Sequence, residues 1–287
     1  MRPTFGAVTA TLNARGTVLA AVRSVMEQCE APAEYTVIDG GSADGTPELV
    51  EAEFEALRAR GCTATLRLLR QSRGPGIAHA WNEAIDGLAS EVVALVNADD
   101  WLEPGAARAA IDAFAAYPRA DIVHGNARFH AADGREMGVL APTWVNRLGI
   151  QCRTLHPATF VRRRVYAEVG AFDPRYRTTL DYDFLERCWR RGRRFRHLDR
   201  VLANFRLGGL SNTHRAQADA ETLRIGLAHS RTKVLPLAAW AVRKALMRPA
   251  GLAGFELWLR DRPAPAMAAR EVEVKPAAAR PRERVDA

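Results

Sequence analysis

The chain has 287 residues, of which 48% are apolar and 26% are charged, as in ordinary globular proteins. These values exclude a fully disordered chain, a fibrous protein and a small disulfide-stapled domain. The net charge is +8, and thirteen basic against six acidic residues from Leu223 onward account for seven of those charges. The body is therefore nearly neutral, which is not typical of a nucleic-acid-binding domain, whereas the basic C-terminal segment suits an anionic membrane surface.

The spacing of the cysteines and the absence of long apolar runs predict the cellular compartment of the protein. The four cysteines, at 29, 62, 152 and 188, form no CxxC pair, which predicts reduced thiols rather than a zinc site or a disulfide framework. The N-terminal segment lacks the apolar core of a secretory signal, and no run of 18 uncharged apolar residues predicts a membrane span. We therefore expect a cytoplasmic protein, located at the inner face of the cell membrane if the basic segment binds lipid.

The first 125 residues alternate short apolar runs with helical patterns. Strands are predicted at 7–12, 35–38, 65–69, 91–96 and 121–124, and helices at 17–28, 47–60, 77–88 and 104–116. Thr46 is the predicted N-cap of the second helix. Strands and helices that alternate in this way indicate βαβ units, and hence an α/β fold with a Rossmann-like, mostly parallel sheet flanked by helices.

After Gly125 the pattern changes. A hairpin with an Asp-Gly turn is predicted from 126–129 and 137–140, followed by helices at 163–169 and 181–191 and strands at 194–197 and 201–205. An amphipathic helix is predicted over 216–235, and the apolar stretch 237–259 carries basic residues. These shifts predict a domain over 1–212, divided at 125, then amphipathic helices over 213–262 and a disordered tail over 263–287.

Polar residues follow three of the predicted strands. Thr11 and Asn13 end the first strand, Asp39 ends the second within IDGGSADGT, and NADD (97–100) follows the fourth. Ligands of open parallel sheets bind outside the carboxyl ends of the strands, so these residues predict a binding site. Asp39 suits hydrogen bonds from a nucleobase or a ribose, and the alternative is a tight strand-to-helix turn.

Two pairs of aspartates are candidates for metal binding and catalysis. Asp99 and Asp100 follow a buried apolar run, and their hard oxygens suit Mg²⁺ or Mn²⁺ bound to a diphosphate. The alternative is that one of them caps the next helix. Asp181 and Asp183 begin a later predicted helix, where one suits a general base and first-turn acids also favour the helix dipole.

Together these motifs resemble the family 2 glycosyltransferases of GT-A fold. The resemblance covers about residues 5–212, through IDGGSADGT, NADDW, GAFDPRY, LDYDF and FRLGGLS. The pairing of DGGS with NADD resembles a branch that acts in bacterial surface polysaccharide or glycolipid synthesis. The resemblance implies an inverting enzyme that moves a sugar from a nucleoside-diphosphate sugar, UDP or dTDP rather than GDP, to an acceptor hydroxyl. Residues 1–125 would then form the nucleotide-binding half, and 126–212 the acceptor and catalytic-base half.

The same resemblance implies roles for individual residues. Asp181 matches the general base, and Asp99 with Asp100 matches the acidic motif that holds Mn²⁺ or Mg²⁺. Arg206 and Ser211 flank a Gly-Gly pair, a sequence that suits a mobile lid. The residues expected to bind the nucleotide or the donor sugar are Thr11, Asn13, Asp39, Gly76, Asn82, Asn97, Asp99, His156 and Arg206.

Three departures from the family pattern leave a second class of function open. Asn97 replaces the first aspartate of the acidic motif, Leu180 replaces a glutamate before the base, and Gly74 replaces an aspartate that contacts the nucleoside. The alternative is a non-catalytic, sugar-nucleotide-binding homologue that acts as a scaffold. The retained Asp99, Asp100 and Asp181 favour an enzyme. The lack of GxGxxG after the first strand argues against a third class, a Rossmann dinucleotide enzyme.

The composition of the C-terminal segment suggests which surface it contacts. Trp240, Phe255 and Trp258 lie among Leu, Arg and Lys, a mixture typical of a helix at a membrane interface. The alternative is packing on the catalytic domain or on a second subunit. We expect a nucleotide-sugar donor, a glycan or lipid-linked acceptor, peripheral membrane contact through the basic helices and no nucleic acid. The sequence leaves the oligomeric state open, with a homodimer as one option.

Overall fold

The computed structural model describes residues 2–141, 155–208, 214–230, 232–247 and 272–274. The strands are β1 (Phe5–Thr11), β2 (Glu34–Asp39), β3 (Thr65–Arg70), β4 (Val92–Leu95), β5 (Trp101–Leu102), β6 (Ile122–His130), β7 (Glu136–Leu140), β8 (Thr159–Arg162), β9 (Phe195–Arg206) and β10 (Val272–Val274). The helices are α1 (Val18–Met26), α2 (Thr46–Ala59), α3 (Ile77–Asp86), α4 (Ala106–Ala116), α5 (Arg163–Val169), α6 (Leu180–Arg190), α7 (Arg215–His229) and α8 (Val234–Met247), with a 3-10 turn at His156–Ala158.

One mixed sheet joins these strands in the order β10-β9-β6-β8-β4-β1-β2-β3, with β5 on β9 and β7 on β6. The strands β4, β1, β2 and β3 are parallel, as the βαβ pattern predicts. The central strands are almost wholly buried because helices cover both faces of the sheet. Thr11 pairs in register with Asp39, so the polar ends of β1 and β2 meet at one edge.

Antiparallel strands complete the second half. The strand β8 lies between β4 and β6 and is antiparallel to both, although the sequence pattern did not predict it. The strands β6 and β9 are each continuous where two short strands were predicted. At Gly125 an added Cβ would lie 2.5 Å from the Leu202 side chain and 2.6 Å from the Arg200 carbonyl oxygen. A glycine therefore lets β6 pass through this point while it pairs with β9.

Three predicted helix boundaries are wrong, each for a local reason. The helix α2 begins at Thr46, and Asp44 Oδ1, 3.0 Å away, accepts the Thr46 N–H, so Thr46 is not the N-cap. The helix α4 begins at Ala106 because β5 occupies the preceding residues. The predicted helix over 216–235 is two helices, since Pro236 lacks the N–H that a continuous helix would donate to residue 232.

Two described parts of the C-terminal region contact the rest of the protein. Glu221 of α7 bonds to the segment that precedes α6, so this helix packs on the catalytic domain, as one of the two alternatives for the region expects. The division of the chain at 212 stays a prediction. Val272–Val274 pairs with β9, so the expectation of a disordered tail is wrong for these three residues. The apolar side chains of Val234, Leu235 and Leu237 on α8 are exposed.

Membrane contact stays a prediction from the sequence. Phe255 and Trp258 lie outside the described residues. Within the described part of the chain, no helix has the length and apolar character needed to cross a bilayer.

His124 of β6 is an ionisable residue in the interior of the protein. Its side chain is fully buried, and neither ring nitrogen has a hydrogen-bond partner among the described residues. Burial, together with the nearby ring of His197, lowers the pKa of His124 to about 3. The folded protein therefore keeps His124 neutral at pH values where an unfolded chain protonates it.

We expect His124→Leu to make the protein less sensitive to acid. As the pH falls from 6.5 towards 3, the unfolded wild-type chain binds a proton at His124 that the folded protein does not bind, so stability falls. By pH 5 this linkage costs the wild type about 2 kcal/mol relative to pH 7. Urea unfolding at both pH values measures the difference, with the exposed His214→Leu as the control. Equal acid sensitivity in all three proteins would contradict the assignment.

Candidate active site

Ser42 joins the polar ends of β1 and β2. Asp39 Oδ2 accepts the N–H groups of Gly41 and Ser42 at 2.9 and 2.8 Å, and Asp39 Oδ1 accepts the Ser42 hydroxyl at 2.5 Å. The N–H of Asn13 donates to Ser42 Oγ at 2.7 Å, and Asn13 Oδ1 accepts the N–H of Ala43 at 2.9 Å. Asn13 has a φ of +49°, a left-handed conformation that asparagine tolerates. The tight turn weighed for Asp39 is thus present, and it shapes the crevice.

Two further predicted residues lie at this edge of the sheet. Thr11 Oγ1 is buried and has no hydrogen-bond partner among the described residues. Gly76 precedes α3 with a φ of +98°. The Gln71 amide donates to the carbonyl oxygen of Gly76 at 2.9 Å and to that of Gly74, which fixes the glycine loop. Sequence reasoning did not identify Gln71 or Ser42.

The acidic motif follows β4, and its two aspartates have different surroundings. Asp100 is 1% exposed; its Oδ1 accepts the Arg206 N–H at 3.1 Å, and its Oδ2 accepts the Asn97 amide at 3.2 Å. Burial raises the pKa of Asp99, and burial with the adjacent Asp99 charge raises the pKa of Asp100 well above its ordinary value. In the described part of the chain, no other side chain hydrogen-bonds to the half-buried Asp99.

His156 connects the acidic motif to Asp181. Asn97 Nδ2 lies 2.9 Å from His156 Nε2, and His156 Nδ1 lies 3.4 Å from Asp181 Oδ2. The Asn97 amide nitrogen also donates to Asp100, which fixes its orientation. His156 Nε2 therefore accepts, and its Nδ1 carries the proton on the side of Asp181. The structure thus brings together residues from the turn after β4, the 3-10 turn and the first turn of α6.

Two predicted donor-binding residues make contacts within the protein. Asn82 Nδ2 donates to the Phe172 carbonyl oxygen at 2.8 Å, and Asn82 Oδ1 accepts the Phe172 N–H at 2.9 Å. These two hydrogen bonds join α3 to the segment before α6. They use both the nitrogen and the oxygen of the Asn82 side-chain amide. The Arg206 guanidinium lies 5.4 Å from the centre of the Trp101 ring, beside the acidic motif. Ser211 lies outside the described residues, so the lid stays a prediction.

Fold and site together define a nucleotide-sugar transferase of GT-A type, with a parallel nucleotide half, an acidic turn after β4 and an aspartate at the start of α6. The model of the family described as glycosyl transferase family 2 matches residues 7–187. The chain therefore belongs to that family, and it is a glycosyltransferase. The family, the GT-A fold class and the enzyme class that the sequence motifs predict are confirmed.

Relatives and solved structures agree with this assignment. The "PGL/p-HBAD biosynthesis glycosyltransferase" of Mycobacterium bovis is 27% identical over 216 residues, which are 74% of this chain and 80% of that protein. Residues 1–349 of TarS from S. aureus, in complex with UDP, match with a TM-score of 0.60 at 18% identity, over 88% of this chain and 75% of that chain. The chain spans 43% of a longer TarS structure.

A second solved neighbour is a mannosyltransferase. The mannosyltransferase PcManGT from Pyrobaculum calidifontis, in complex with GDP-Man and Mn²⁺, matches with a TM-score of 0.60 at 19% identity. The match covers 90% of this chain and 79% of that chain. At these identities the structural likeness bears on the fold alone.

Proposed function

We propose that this protein is a metal-dependent, inverting glycosyltransferase that moves a sugar from a UDP or dTDP sugar to a hydroxyl of a polysaccharide or lipid-linked glycan. The proposal rests on the contacts of His156 with Asn97 and with Asp181 at the carboxyl edge of the parallel strands. Asp99 lies in the same turn as Asn97 and is an electrostatic neighbour of His156. The mycobacterial relatives, named for PGL/p-HBAD biosynthesis, support a glycan or glycolipid product. The TarS structures with UDP and UDP-GlcNAc support a uridine carrier.

Asp181 is the proposed general base. It takes the proton from the acceptor hydroxyl while the acceptor oxygen attacks the anomeric carbon of the donor. The bond from that carbon to the diphosphate oxygen breaks on the opposite face, so the configuration inverts in a single displacement. This path forms no covalent intermediate with the protein and needs no nucleophile from it. His156 Nδ1 lies 3.4 Å from Asp181 Oδ2, so the two side chains are in contact at the proposed place of proton transfer.

The residues after β4 fit a divalent metal that binds together with the donor. Asp99 offers a half-buried carboxylate, and the nearby Asn97 Oδ1 is a buried acceptor with no partner among the described residues. The described residues contain no cluster of three or more acidic, histidine or cysteine ligands. Mg²⁺ and Mn²⁺ sites with few protein ligands are completed by substrate phosphates. A bound Mn²⁺ or Mg²⁺ would stabilise the charge of the leaving diphosphate.

The remaining predicted residues fall into two proposed groups. Thr11, Asn13, Asp39 and Gly76 form the nucleoside end, where the buried Thr11 hydroxyl has no hydrogen-bond partner among the described residues. Asn82 and Asp100 support the site from within, because their polar atoms bond to the Phe172 backbone and to the 97–100 turn. His156 and Arg206 lie on the diphosphate side, next to the acidic motif.

Calorimetric titration tests this function. UDP, dTDP, GDP and CDP are each titrated with Mn²⁺ and again with EDTA. We expect one carrier, UDP or dTDP, to bind with a Kd on the order of micromolar in Mn²⁺ and at least about tenfold more weakly in EDTA. Mn²⁺ alone should bind weakly, since the phosphates complete its site. Folded protein that binds no nucleotide would contradict the proposal, and GDP selectivity would correct the carrier.

A further inference from the structure

Glu221 of α7 binds the segment that leads into the helix of the proposed base. Its side chain is 4% exposed. Its Oε2 accepts the N–H groups of Thr178 and Thr179 at 2.9 and 3.1 Å, and their hydroxyls at 2.8 and 3.1 Å. Its Oε1 accepts the Arg177 N–H at 3.1 Å and the Gln217 amide at 2.9 Å. One carboxylate thus holds three consecutive residues in place.

This arrangement requires an ionised acceptor. The N–H groups at the start of a helix have no intrahelical partners, and here Glu221 accepts from Thr179, the N-cap of α6. Burial alone would raise the pKa of Glu221, but the hydrogen bonds from Thr178, Arg177 and Gln217 outweigh that effect and lower it. The carboxylate is therefore charged at neutral pH, and charge-assisted hydrogen bonds are stronger than neutral ones.

A second contact ties the first turn of α6 to α7. His229 Nε2 lies 3.4 Å from Asp183 Oδ1, and Asp183 Oδ2 accepts the Arg187 guanidinium at 2.8 Å. Arg187 in turn donates to the carbonyl oxygens of residues 169, 170 and 171 at 3.0, 2.6 and 2.7 Å. The start of α6 is therefore held by α7 on one side and by the preceding loop on the other. In the chain, Asp181 lies between Thr179 and Asp183, which both contact α7.

We propose that Glu221 is a positioning residue for sugar transfer, which sets the place of Asp181 by holding residues 177–179 at the start of α6. This inference rests on the proposed role of Asp181 as the base. Glu221 lies beyond residues 7–187, the part that the family model matches. A displacement of a catalytic group by about 1 Å is enough to cost on the order of 100-fold in rate.

The variant Glu221→Gln tests the proposal, because it keeps the size of the side chain and replaces one acceptor oxygen with a donor amide. We expect kcat to fall by about 10- to 100-fold. The donor KM and the Kd of the nucleotide should stay within about twofold, since the nucleoside end is built on β1 and β2. An effect confined to kcat distinguishes positioning of the base from general damage, and nucleotide binding confirms that the variant is folded.

Glu186→Gln is the matched control. Glu186 is 2% exposed and pairs with Arg190 at 2.8 Å on the same helix, so the chemical change and the burial are alike. We expect it to lower the unfolding temperature and to leave kcat within about twofold. If Glu221→Gln does not fold, Thr178→Val removes one hydroxyl donor from the same contact, and we expect it to lower kcat by about threefold or more.

The outcomes separate the two proposals. Wild-type protein that transfers no sugar from any nucleotide sugar would count against the proposed function itself. Active wild-type protein together with an unchanged kcat in Glu221→Gln, or in Thr178→Val where the first variant does not fold, would overturn the positioning role. Parallel losses of kcat in the Glu221 and Glu186 variants would also overturn it, because the effect would then follow stability.

Discussion

Replacement of Asp181 by Asn is expected to lower the rate of sugar transfer by about 1,000-fold, the size of effect typical for a lost general base. The amide keeps the shape of the side chain and its place in the first turn of α6, but it does not take up the acceptor proton. Nucleotide affinity should stay within about twofold, because Asp181 acts on the acceptor rather than on the leaving diphosphate. Transfer of radiolabelled sugar and calorimetric titration of the nucleotide measure the two effects separately.

Asp173→Asn provides the matched comparison for this variant. Asp173 lies in the segment before α6 and pairs with the exposed Arg175 at 2.6 Å, so it is a carboxylate of the same region with a local partner. Its loss should change the transfer rate by less than about threefold. An Asp181→Asn variant that still transfers sugar at the wild-type rate would rule out Asp181 as the base. Wild-type protein that binds nucleotide but does not transfer would favour the scaffold alternative.

The nucleotide half follows from the sequence because its signals are local. Each strand from β1 to β4 contains a short apolar stretch, and each helix between them has the 3.6-residue period and a polar or glycine boundary. Parallel strands then place their carboxyl ends at one edge, so Thr11, Asp39 and the 97–100 turn come together without further information. The GT-A fold class and the family were therefore accessible from motifs alone.

The second half depends on contacts that no local pattern reveals. The strand β8 is only four residues long and is stabilised by β4 and β6, which lie far away in the sequence. The continuity of β6 depends on the close approach of Leu202 to Gly125, which is 77 residues earlier. Glu221 reaches back 42 to 44 residues to the start of α6.

The roles of polar residues also depend on long-range partners. Asn82 and Phe172 are 90 residues apart, and their pairing turns a residue of a donor-binding motif into a link between two elements. The sequence motif shows that an asparagine is present. The hydrogen-bond partners of its side chain decide whether the amide is available to a ligand. The same holds for Asp99 and Asp100, adjacent in sequence but different in burial.

Replacement of Asp99 by Asn is expected to weaken Mn²⁺-dependent nucleotide binding by about 100-fold and to abolish measurable transfer. Asp99 is the half-buried carboxylate of the acidic turn that has no side-chain hydrogen-bond partner among the described residues. Asp100→Asn is the matched control, since both oxygens of Asp100 bond to Arg206 and Asn97 within the protein. It should lower the unfolding temperature and weaken Mn²⁺-dependent binding by less than about threefold. Equal losses in both variants would assign the metal to both carboxylates.

Titration in EDTA distinguishes a metal ligand from a direct contact with the nucleotide. Without a cation, the negative charge of Asp99 repels the diphosphate, so wild-type protein should bind UDP or dTDP more weakly than the Asn variant by a few-fold, about 1 kcal/mol. In Mn²⁺ the order reverses, because the ion turns the same carboxylate from a repulsive group into an attractive one. A direct hydrogen bond from the nucleotide to Asp99 would instead make the variant weaker under both conditions. The crossing of the two affinities is therefore the specific signature of a metal between Asp99 and the diphosphate.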